Sequence, residues 1–422
     1  MIGLTILVHK ECDDSVNKLT FRYMRNLKII GGIYREICID PRSDNLYGSA
    51  LRSALAISKG CEDLSLVGMV EPETKEKVVE IAKTFKFKVE TKDREKEIEF
   101  IYDTPISIPR IYGLTINSIP TVEISASNII CFAMVEANIK VSADHLVVDP
   151  QGLSEIDGRI SWSADHLAIV ANKSEAAGFL NNRESLDPEV LAQKLREKYN
   201  AEVIVVKCGA LGAVVLDSGG TQRVPAYYTN KINPIGSGDI FTSVFAFYWA
   251  EMRANPITAA ENASKATAEW VMNGPLQVIN FNKSVTAPNA EVPISGLLSK
   301  VYLAAPFFTV SERWLLDLCR SALTNLGATV FSPLHDVGVG NVQNIAFRDL
   351  EGLKASNSVF AVLDGMDPGT LFEIGYGIAM KKPVVIYVSN KKNYNLTMLK
   401  ANNTHIHDNL ASAIYDAIWL GI

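Results

Sequence analysis

The chain has 422 residues, of which 48% are hydrophobic and 21% are charged, as in an ordinary globular protein. This length exceeds what one hydrophobic core usually serves, so we expect two or three domains. The net charge of -6, without any run of Lys and Arg interleaved with aromatic residues, argues against a nucleic-acid partner.

The cysteines and the N-terminus bear on the compartment. The six cysteines are scattered, with no C-x-x-C pair, which argues against a zinc site and a disulfide framework. Residues 1–14 contain a short apolar run with no basic region before it, so we expect a first β-strand and not a signal peptide. No window reaches the roughly 18 apolar residues that a membrane span needs. We therefore expect a cytoplasmic protein without a membrane partner.

Short β-branched runs alternate with longer amphipathic stretches through the first 280 residues. Clear runs of this kind are 64–70, 146–149, 167–171, 203–209 and 212–217. Together with helical patterns such as 186–200, they predict an α/β fold with a mostly parallel sheet. Residues 84–112 differ, because two alternating strands and two prolines there predict a small antiparallel flap.

The alternation stops near residue 280 and resumes at residue 300. Residues 280–300 are polar, contain two prolines and have no period, which predicts a linker. Strands are then predicted at 300–306, 328–333, 358–364 and 383–388, and helices at 311–327, 343–356, 370–381 and 408–421. We expect two domains, 1–282 and 300–422, joined by a linker at 283–299, the second being a smaller parallel-sheet domain of flavodoxin-like or Rossmann-like type.

A glycine-rich turn before a long apolar helix marks a candidate phosphate site. Gly236, Ser237 and Gly238 form the turn, and Asp239 lies in the first turn of the helix. Glycines let backbone N–H groups converge, and a helix N-terminus adds partial positive charge. An aspartate there can accept a hydroxyl proton during phosphoryl transfer. A helix cap whose glycines serve only packing would give the same pattern.

This turn and helix resemble the G-[AS]-G-D signature of ribokinase-like (PfkB) sugar and nucleoside kinases, over about residues 1–280. Asn172 and Glu175 match the N-x-x-E motif that arranges Mg²⁺ and phosphate in that family. Gly209 and Gly212 resemble the turn that packs on the nucleotide. The resemblance implies a three-layer α/β/α fold, ATP and Mg²⁺ as cofactors with Glu175 acting through the metal, and Asp239 as the base.

Two departures from the family pattern affect the acceptor pocket. The usual Asp-Thr-Thr before the glycines is here 233–235, Asn-Pro-Ile. Tyr47 and Arg52 stand where the family holds the sugar with Gly-Gly and Asn. Two interpretations therefore remain open: an active kinase with an unusual acceptor, and a degenerate domain that binds a nucleotide or nucleoside.

In the second domain, carboxyl and aromatic side chains converge on the carboxyl edge of the predicted sheet, where open α/β sheets bind ligands. These residues are Tyr302, Phe307, Asp349, Asp364, Asp367 and Glu373. Clustered carboxyls raise each other's pKa values, which separates acid from nucleophile. One carboxylate can then attack an anomeric carbon while another serves the leaving group. Asp364 and Asp367 as turn residues, and Asp349 as a solvated position, are the simpler alternatives.

Two blocks resemble the nucleoside 2-deoxyribosyltransferase family: 302–308, YLAAPFF, and 367–377, DPGTLFEIGYG. The resemblance covers about residues 300–400. It implies that Glu373 is the nucleophile on the deoxyribose C1′ and that Asp349 is the acid/base facing the nucleobase, with no cofactor. Asp367 and Tyr302 would hold the sugar or orient the glutamate.

A further match concerns assembly. Asn395 is the counterpart of an asparagine that a neighbouring subunit supplies in the 2-deoxyribosyltransferase family. The match implies a homo-oligomer.

Together these features predict a fusion enzyme that processes small-molecule nucleosides, nucleotides and sugars. In one interpretation the second domain cleaves or transfers the N-glycosidic bond and the first phosphorylates a sugar or nucleoside. In another, the first domain senses a nucleotide and the second hydrolyses deoxynucleotides or NAD as a regulated effector. A binding protein with both sites decayed is disfavoured by the intact residues of the second domain.

Overall fold

The computed structural model describes residues 26–114, 119–152, 158–180, 187–274, 278–279, 281, 289–292, 299–338, 342–389, 395–402 and 404–422. The strand predicted within residues 1–14 and most of the predicted linker lie outside the described residues.

The first domain contains both strands and helices as predicted, but β5 to β10 follow one another without a helix in the described residues. Its strands are β1 (Asn26–Ile30), β2 (Arg35–Cys38), β3 (Ser43–Leu46), β4 (Asp63–Val70), β5 (Lys88–Asp93), β6 (Glu99–Tyr102), β7 (Arg110–Tyr112), β8 (Thr121–Phe132), β9 (Asn138–Asp149), β10 (Ile160–Asn172), β11 (Val203–Lys207), β12 (Ala213–Asp217) and β13 (Gly220–Val224). Its helices are α1 (Gly48–Ile57), α2 (Pro72–Phe85), α3 (Lys173–Phe179), α4 (Pro188–Tyr199), α5 (Ser237–Ala246) and α6 (Pro256–Asn273).

Nine of these strands form one sheet in the order β13-β12-β11-β10-β9-β8-β1-β4-β5. Among the described strands of this sheet, β12 alone runs against the others. Both faces are buried, since one core joins the sheet to α1, α2, α5 and α6 and another joins it to α3 and α4. The predicted three-layer α/β/α fold with a mostly parallel sheet is therefore confirmed.

A second sheet, which we call the lid sheet, has the order β3-β2-β6-β7. The predicted antiparallel flap is only partly right. β6 and β7 belong to the lid sheet, whose central pair β2–β6 is parallel. β5 instead extends the main sheet in parallel with β4, because Val89 of β5 packs against the large core and the alternating pattern alone does not say which sheet a strand joins.

The three long strands β8, β9 and β10 carry a short repeat. Their pairing aligns Ser125, Ser142 and Ser163 and also aligns the alanine that follows each serine. The residue after each alanine is left out of the pairing. The connection 133–137 has five residues and reaches at most about 23 Å, whereas a straight strand of 12 residues spans about 36 Å. β8 and β9 therefore cannot both be straight, and we infer that they bend where their pairing is interrupted.

The second domain contains all of its predicted elements. Its strands are β14 (Lys300–Ala304), β15 (Thr329–Phe331), β16 (Ser358–Val362), β17 (Val384–Tyr387) and β18 (His405–His407). Its helices are α7 (Val310–Asn325), α8 (Val342–Ala355), α9 (Pro368–Ala379), α10 (Thr397–Lys400) and α11 (Leu410–Trp419). The sequence did not predict α10 and β18.

The order β15-β14-β16-β17-β18 is wholly parallel, which is the flavodoxin-like arrangement. α7 and α11 pack on one face, and α8 and α9 on the other. Across the described helices of both domains, none combines the length and the apolar character of a membrane-spanning segment.

Two candidate active sites

Glu373 lies in the second turn of α9, at the carboxyl edge of the smaller sheet. The hydroxyl of Tyr302, a fully buried residue of β14, donates a 2.5 Å hydrogen bond to Glu373 Oε1. The Tyr302 ring stacks on Phe331 of β15 with a centroid distance of 5.6 Å. A Cβ at Gly352 of α8 would lie 2.2 Å from the Phe331 ring, so α8 holds that ring closely. Packing therefore fixes the donor that faces Glu373.

The surroundings of Glu373 change its acidity. Burial raises the pKa of Glu373 to about 7, and the Asp349 and Asp367 carboxyls add to this rise while the Tyr302 hydrogen bond opposes it. Burial also raises the pKa of Asp349. Asp349 Oδ1 is buried and accepts no hydrogen bond from the described residues. Two half-buried carboxyls with raised pKa values can divide the roles of nucleophile and acid.

Asp367 and Asp364 hold backbone turns in this structure. Asp367 Oδ2 caps α9 by accepting hydrogen bonds from the Thr370 backbone N–H (2.7 Å) and hydroxyl (3.0 Å). Asp364 Oδ1 accepts from the backbone N–H and the hydroxyl of Ser389. These contacts fix the N-terminus of α9 and the turn before it, and they thereby help to position Glu373 relative to the sheet.

Phe307 and Asn395 lie at the rim. Phe307 stacks on the exposed Phe308 at 5.3 Å. Asn395 Oδ1 accepts hydrogen bonds from Thr397, and among the described residues no hydrogen bond joins Asn395 to Glu373. Several apolar side chains of the second domain are more than half exposed: Phe308, Val310, Trp314, Phe347, Phe372 and Met398.

In the first domain, Asp239 is buried in the first turn of α5 and both of its oxygens are engaged. Arg52 Nη1 of α1 donates to Oδ2 at 2.5 Å, and Gln151 Nε2 donates to Oδ1 at 2.9 Å. Arg52 also forms a short hydrogen bond and ion pair with the buried Glu36 of β2. Burial raises the pKa of Asp239, and Arg52 opposes this shift by stabilising the ionised form.

Arg52 also packs against the glycine turn. Gly236 has a φ of +80°, and a Cβ there would lie 2.1 Å from Arg52 Nε. Glycine is required at this position both by the backbone conformation and by the guanidinium beside it. The space beside Gly236 is thus filled by a side chain of the protein itself.

Asn172 and Glu175 form a capping box at the start of α3. Glu175 accepts hydrogen bonds from the backbone N–H groups of Gly152 (2.8 Å) and Asn172 (2.7 Å). Burial raises the pKa of Glu175, and Lys207 opposes that rise.

Sequence reasoning missed an ion pair at the carboxyl edge of the large sheet. Lys207 Nζ donates to Asp149 Oδ2 at 2.7 Å, and Thr242 of α5 donates to the same oxygen at 2.6 Å. Asp149 and Lys207 each end an apolar strand run, and that position was the available signal. Sequence reasoning also gave no role to Glu36 or Gln151.

A cavity of about 600 Å³ begins beside Lys207 and Asp239 and extends between the lid sheet and α6. Gly209, Gly212, Gly236, Ser237 and Gly238 line it together with Lys207 and Asp239, whereas Ala226, Tyr227, Ala268 and Val271 line an apolar region. This volume suits a small-molecule ligand. The helix N-terminus and Lys207 fit a phosphate group, and Glu175, which lines the cavity, is the carboxylate that would face a divalent metal.

A second set of potential metal ligands lies on β18 and α11. His405 Nδ1 and His407 Nε2 each lie 2.8 Å from Asp416 Oδ2, and the three ligand atoms lie within 4.8 Å of one another. Two histidine N–H donors sharing one carboxylate oxygen account for this geometry without a metal.

Comparison with known protein families gives two matches, one in each of the two domains described above. Residues 132–274 match the family model described as pfkB family carbohydrate kinase, and residues 301–410 match that described as nucleoside 2-deoxyribosyltransferase. The chain resembles two enzyme families in succession. We call the two parts the PfkB-like domain and the transferase-like domain, and both sequence resemblances are confirmed. A comparison with curated proteins found no match.

Solved structures similar to the PfkB-like domain are ribokinase-family kinases. Ribokinase from Thermotoga maritima has 15% identity and a TM-score of 0.46, covering 62% of this chain and 98% of that chain. A sulfate complex of a pyrophosphate-dependent kinase in the ribokinase family has 14% identity and a TM-score of 0.46, covering 60% and 97%. The tetrameric inhibited form of phosphofructokinase-2 from Escherichia coli has 14% identity and a TM-score of 0.42, covering 60% and 96%. At such identities and TM-scores, the likeness says nothing about the substrate of this chain.

We predict that Arg52→Gln destabilises the protein by about 3 kcal/mol at neutral pH, because Glu36 and Asp239 would stay buried without their cation. Urea unfolding measures this cost. The deficit relative to the native sequence should shrink from about pH 8 to about pH 5, because burial raises the pKa of Asp239 and the variant lacks the cation that opposes this rise, so Asp239 in the folded variant takes up a proton as the pH falls.

The matched control is Arg223→Gln, which removes an exposed pair with Glu189 and should cost less than about 1 kcal/mol. Equal costs for the two variants would contradict a buried clamp at Asp239.

Proposed function

We propose that the transferase-like domain breaks the N-glycosidic bond of a deoxynucleoside or nucleotide through a covalent intermediate on Glu373. The observation that carries this proposal is the half-buried Glu373, held by Tyr302 at 2.5 Å beside Asp349 at the ligand-binding edge of the sheet. The family model that matches residues 301–410 supports the same chemistry.

In the first step, a carboxylate oxygen of Glu373 forms a bond to C1′ while the bond from C1′ to the base nitrogen breaks. The bonding electrons leave with the base, and Asp349 supplies a proton to it. The raised pKa of Asp349 keeps more of that carboxyl protonated near neutrality than in water. The Tyr302 hydroxyl holds the attacking carboxylate in place.

In the second step, water or another base attacks C1′, transfers its proton to Asp349 and releases Glu373. Water gives hydrolysis and a second base gives transfer. The same residues serve both outcomes, so the protein is an N-glycosidase, a deoxyribosyltransferase or both. The access of water and of a second base to C1′ decides the ratio of hydrolysis to transfer.

The rim of this site suits contact with a second copy of the chain. Phe372, next to Glu373 on α9, is a large apolar side chain that is mostly exposed, and exposed apolar side chains are typical of a protein interface. Asn395 is also exposed. We propose that a homo-oligomer covers this surface and that the partner's Asn395 completes the sugar site.

A second function is favoured by the contacts of Arg52. A base for phosphoryl transfer must accept a proton from the acceptor hydroxyl, yet Asp239 is neutralised by Arg52 and its other oxygen is held by Gln151. Both carboxylate oxygens of Asp239 already accept hydrogen bonds from side chains of the protein, so an acceptor hydroxyl would have to compete with these donors for either oxygen. We therefore propose that the PfkB-like domain binds a nucleotide as a sensor, and that an active kinase is the alternative. ATP, with a divalent metal, is the ligand that its family uses.

Glu373→Gln should abolish release of free base from deoxynucleosides, deoxynucleotides and NAD tested as a panel, because an amide oxygen cannot form the ester. Product identification by mass spectrometry measures this loss, with no requirement for ATP. The control Glu351→Gln changes an exposed glutamate that pairs with Lys354 and should keep full activity. A Glu373→Gln protein with undiminished turnover would show that the nucleophile is another residue.

The pH dependence of kcat/KM should rise through an apparent pKa of about 7, because Glu373 must be ionised to attack. Tyr302→Phe removes the donor that stabilises the ionised carboxylate, so this limb should move to higher pH. The measurement is a profile of kcat/KM for both proteins with the best substrate of the panel. A limb at the pKa of an ordinary glutamate, unmoved by Tyr302→Phe, would contradict the assigned environment.

The PfkB-like domain should bind ATP without releasing ADP when it is incubated with Mg²⁺ and a broad panel of sugars and nucleosides. Calorimetry measures binding, and a coupled assay measures ADP. Formation of a phosphorylated product that is lost in Asp239→Asn would establish a live kinase and overturn the sensor proposal.

A further inference from the structure

One wall of the cavity in the PfkB-like domain is built by the other domain. Tyr415 and Trp419, one turn apart on α11, line the same cavity as Lys207 and Gly236. α11 belongs to the transferase-like domain, where it packs on the sheet opposite to α8 and α9. The cavity is therefore incomplete without the second domain.

Specific contacts hold α11 against the first domain. The indole N–H of Trp419 donates a 2.9 Å hydrogen bond to the carbonyl of Ala210, in the turn between Gly209 and Gly212. Ser412 accepts a 3.0 Å hydrogen bond from the backbone N–H of Ile232. Both anchors are buried, so α11 has a defined position relative to the glycine turns.

Aromatic contacts surround Trp419 and extend from it to Tyr415 at the cavity wall. The Trp419 ring meets Tyr228 edge-on at 5.4 Å, and Tyr415 meets Trp419 at 5.5 Å. Tyr415 is half-buried, so part of its ring remains accessible at the cavity wall. Gly209 lies against Leu326, since a Cβ there would come within 2.5 Å of that side chain.

The cavity has a polar lining beside the N-terminus of α5 and aromatic side chains elsewhere in its wall. The N-terminus of α5 and its glycine turn supply backbone N–H groups, whereas the lining cations Lys207 and Arg52 are paired with carboxylates of the protein. Tyr227, Tyr415 and Trp419 supply rings elsewhere along the wall. A molecule with an anionic phosphate chain and an aromatic base matches this polarity.

We infer that the nucleotide site is composite, and that Tyr415 and Trp419 of α11 contact the base of a bound nucleoside polyphosphate. This inference rests on the proposed nucleotide binding by the PfkB-like domain. The glycine turn and Lys207 bind the phosphates, while Tyr415 and Trp419 of the transferase-like domain contact the base. A bound nucleotide then bridges the two domains, and its binding free energy includes contacts to the domain that carries Glu373.

The test compares ATP with inorganic pyrophosphate, which lacks a base, by titration calorimetry on the full chain. Tyr415→Ala should weaken ATP binding about tenfold or more, because base stacking is lost, and should leave pyrophosphate binding unchanged. Trp419→Phe keeps an aromatic ring but loses the hydrogen bond to Ala210, and should weaken ATP selectively as well. Tyr199→Ala, a half-buried tyrosine on α4 away from the cavity, should change neither affinity.

Each other outcome has a defined meaning. ATP binding by Tyr415→Ala at the native affinity would overturn the composite site. So would equal loss of ATP and pyrophosphate in both α11 variants, because a base contact cannot affect pyrophosphate. Equal native affinity for the two ligands would leave the phosphate site standing and reject base recognition. Binding of neither ligand by the native protein would instead reject nucleotide binding by the PfkB-like domain, and the inference with it.

Discussion

The hydrogen bond from Tyr302 to Glu373 is the contact on which the proposed chemistry depends. Burial alone would leave Glu373 protonated at neutral pH and unable to attack a sugar carbon. A neutral donor at 2.5 Å favours the ionised form without neutralising it. Burial and the adjacent Glu373 raise the pKa of Tyr302, so its hydroxyl stays a donor. The stacking of Phe331 and the close approach of α8 at Gly352 serve to keep this donor in position.

The candidate site of each domain contains a carboxylate shielded from solvent, but the partner of that carboxylate differs between the domains. Glu373 accepts a hydrogen bond from a neutral hydroxyl, whereas Asp239 is paired with the guanidinium of Arg52 and its second oxygen accepts a hydrogen bond from Gln151. Environment, and not residue type, separates the two roles. This difference is consistent with our proposal that the transferase-like domain cleaves the bond and that the PfkB-like domain binds a ligand. α11 belongs structurally to the first of these domains and lines the cavity of the second, so the two candidate sites are physically connected.

Much of the fold could be predicted from local pattern, because alternating strands and amphipathic helices repeat at known periods. Every predicted element between residues 300 and 421 is present, and Glu373 stood out as a charge within an apolar helix. The pairing of Arg52 with Asp239 could not be predicted, because 187 positions separate the two residues and only the tertiary fold joins them. The same holds for β5, whose sheet depends on which core Val89 meets, and for Lys207 and Asp149, which lie on β11 and β9 and meet across the end of the intervening strand β10.

The covalent intermediate on Glu373 is the central claim. The most direct measurement is the mass of the intact protein after incubation with a nucleoside carrying fluorine at C2′, which slows breakdown of a glycosyl ester by disfavouring positive charge at C1′. The account predicts a mass increase equal to one fluorinated sugar residue, mapped by peptide sequencing to Glu373 and absent from Glu373→Gln. Release of base without any adduct, or an adduct on a different residue, would contradict it.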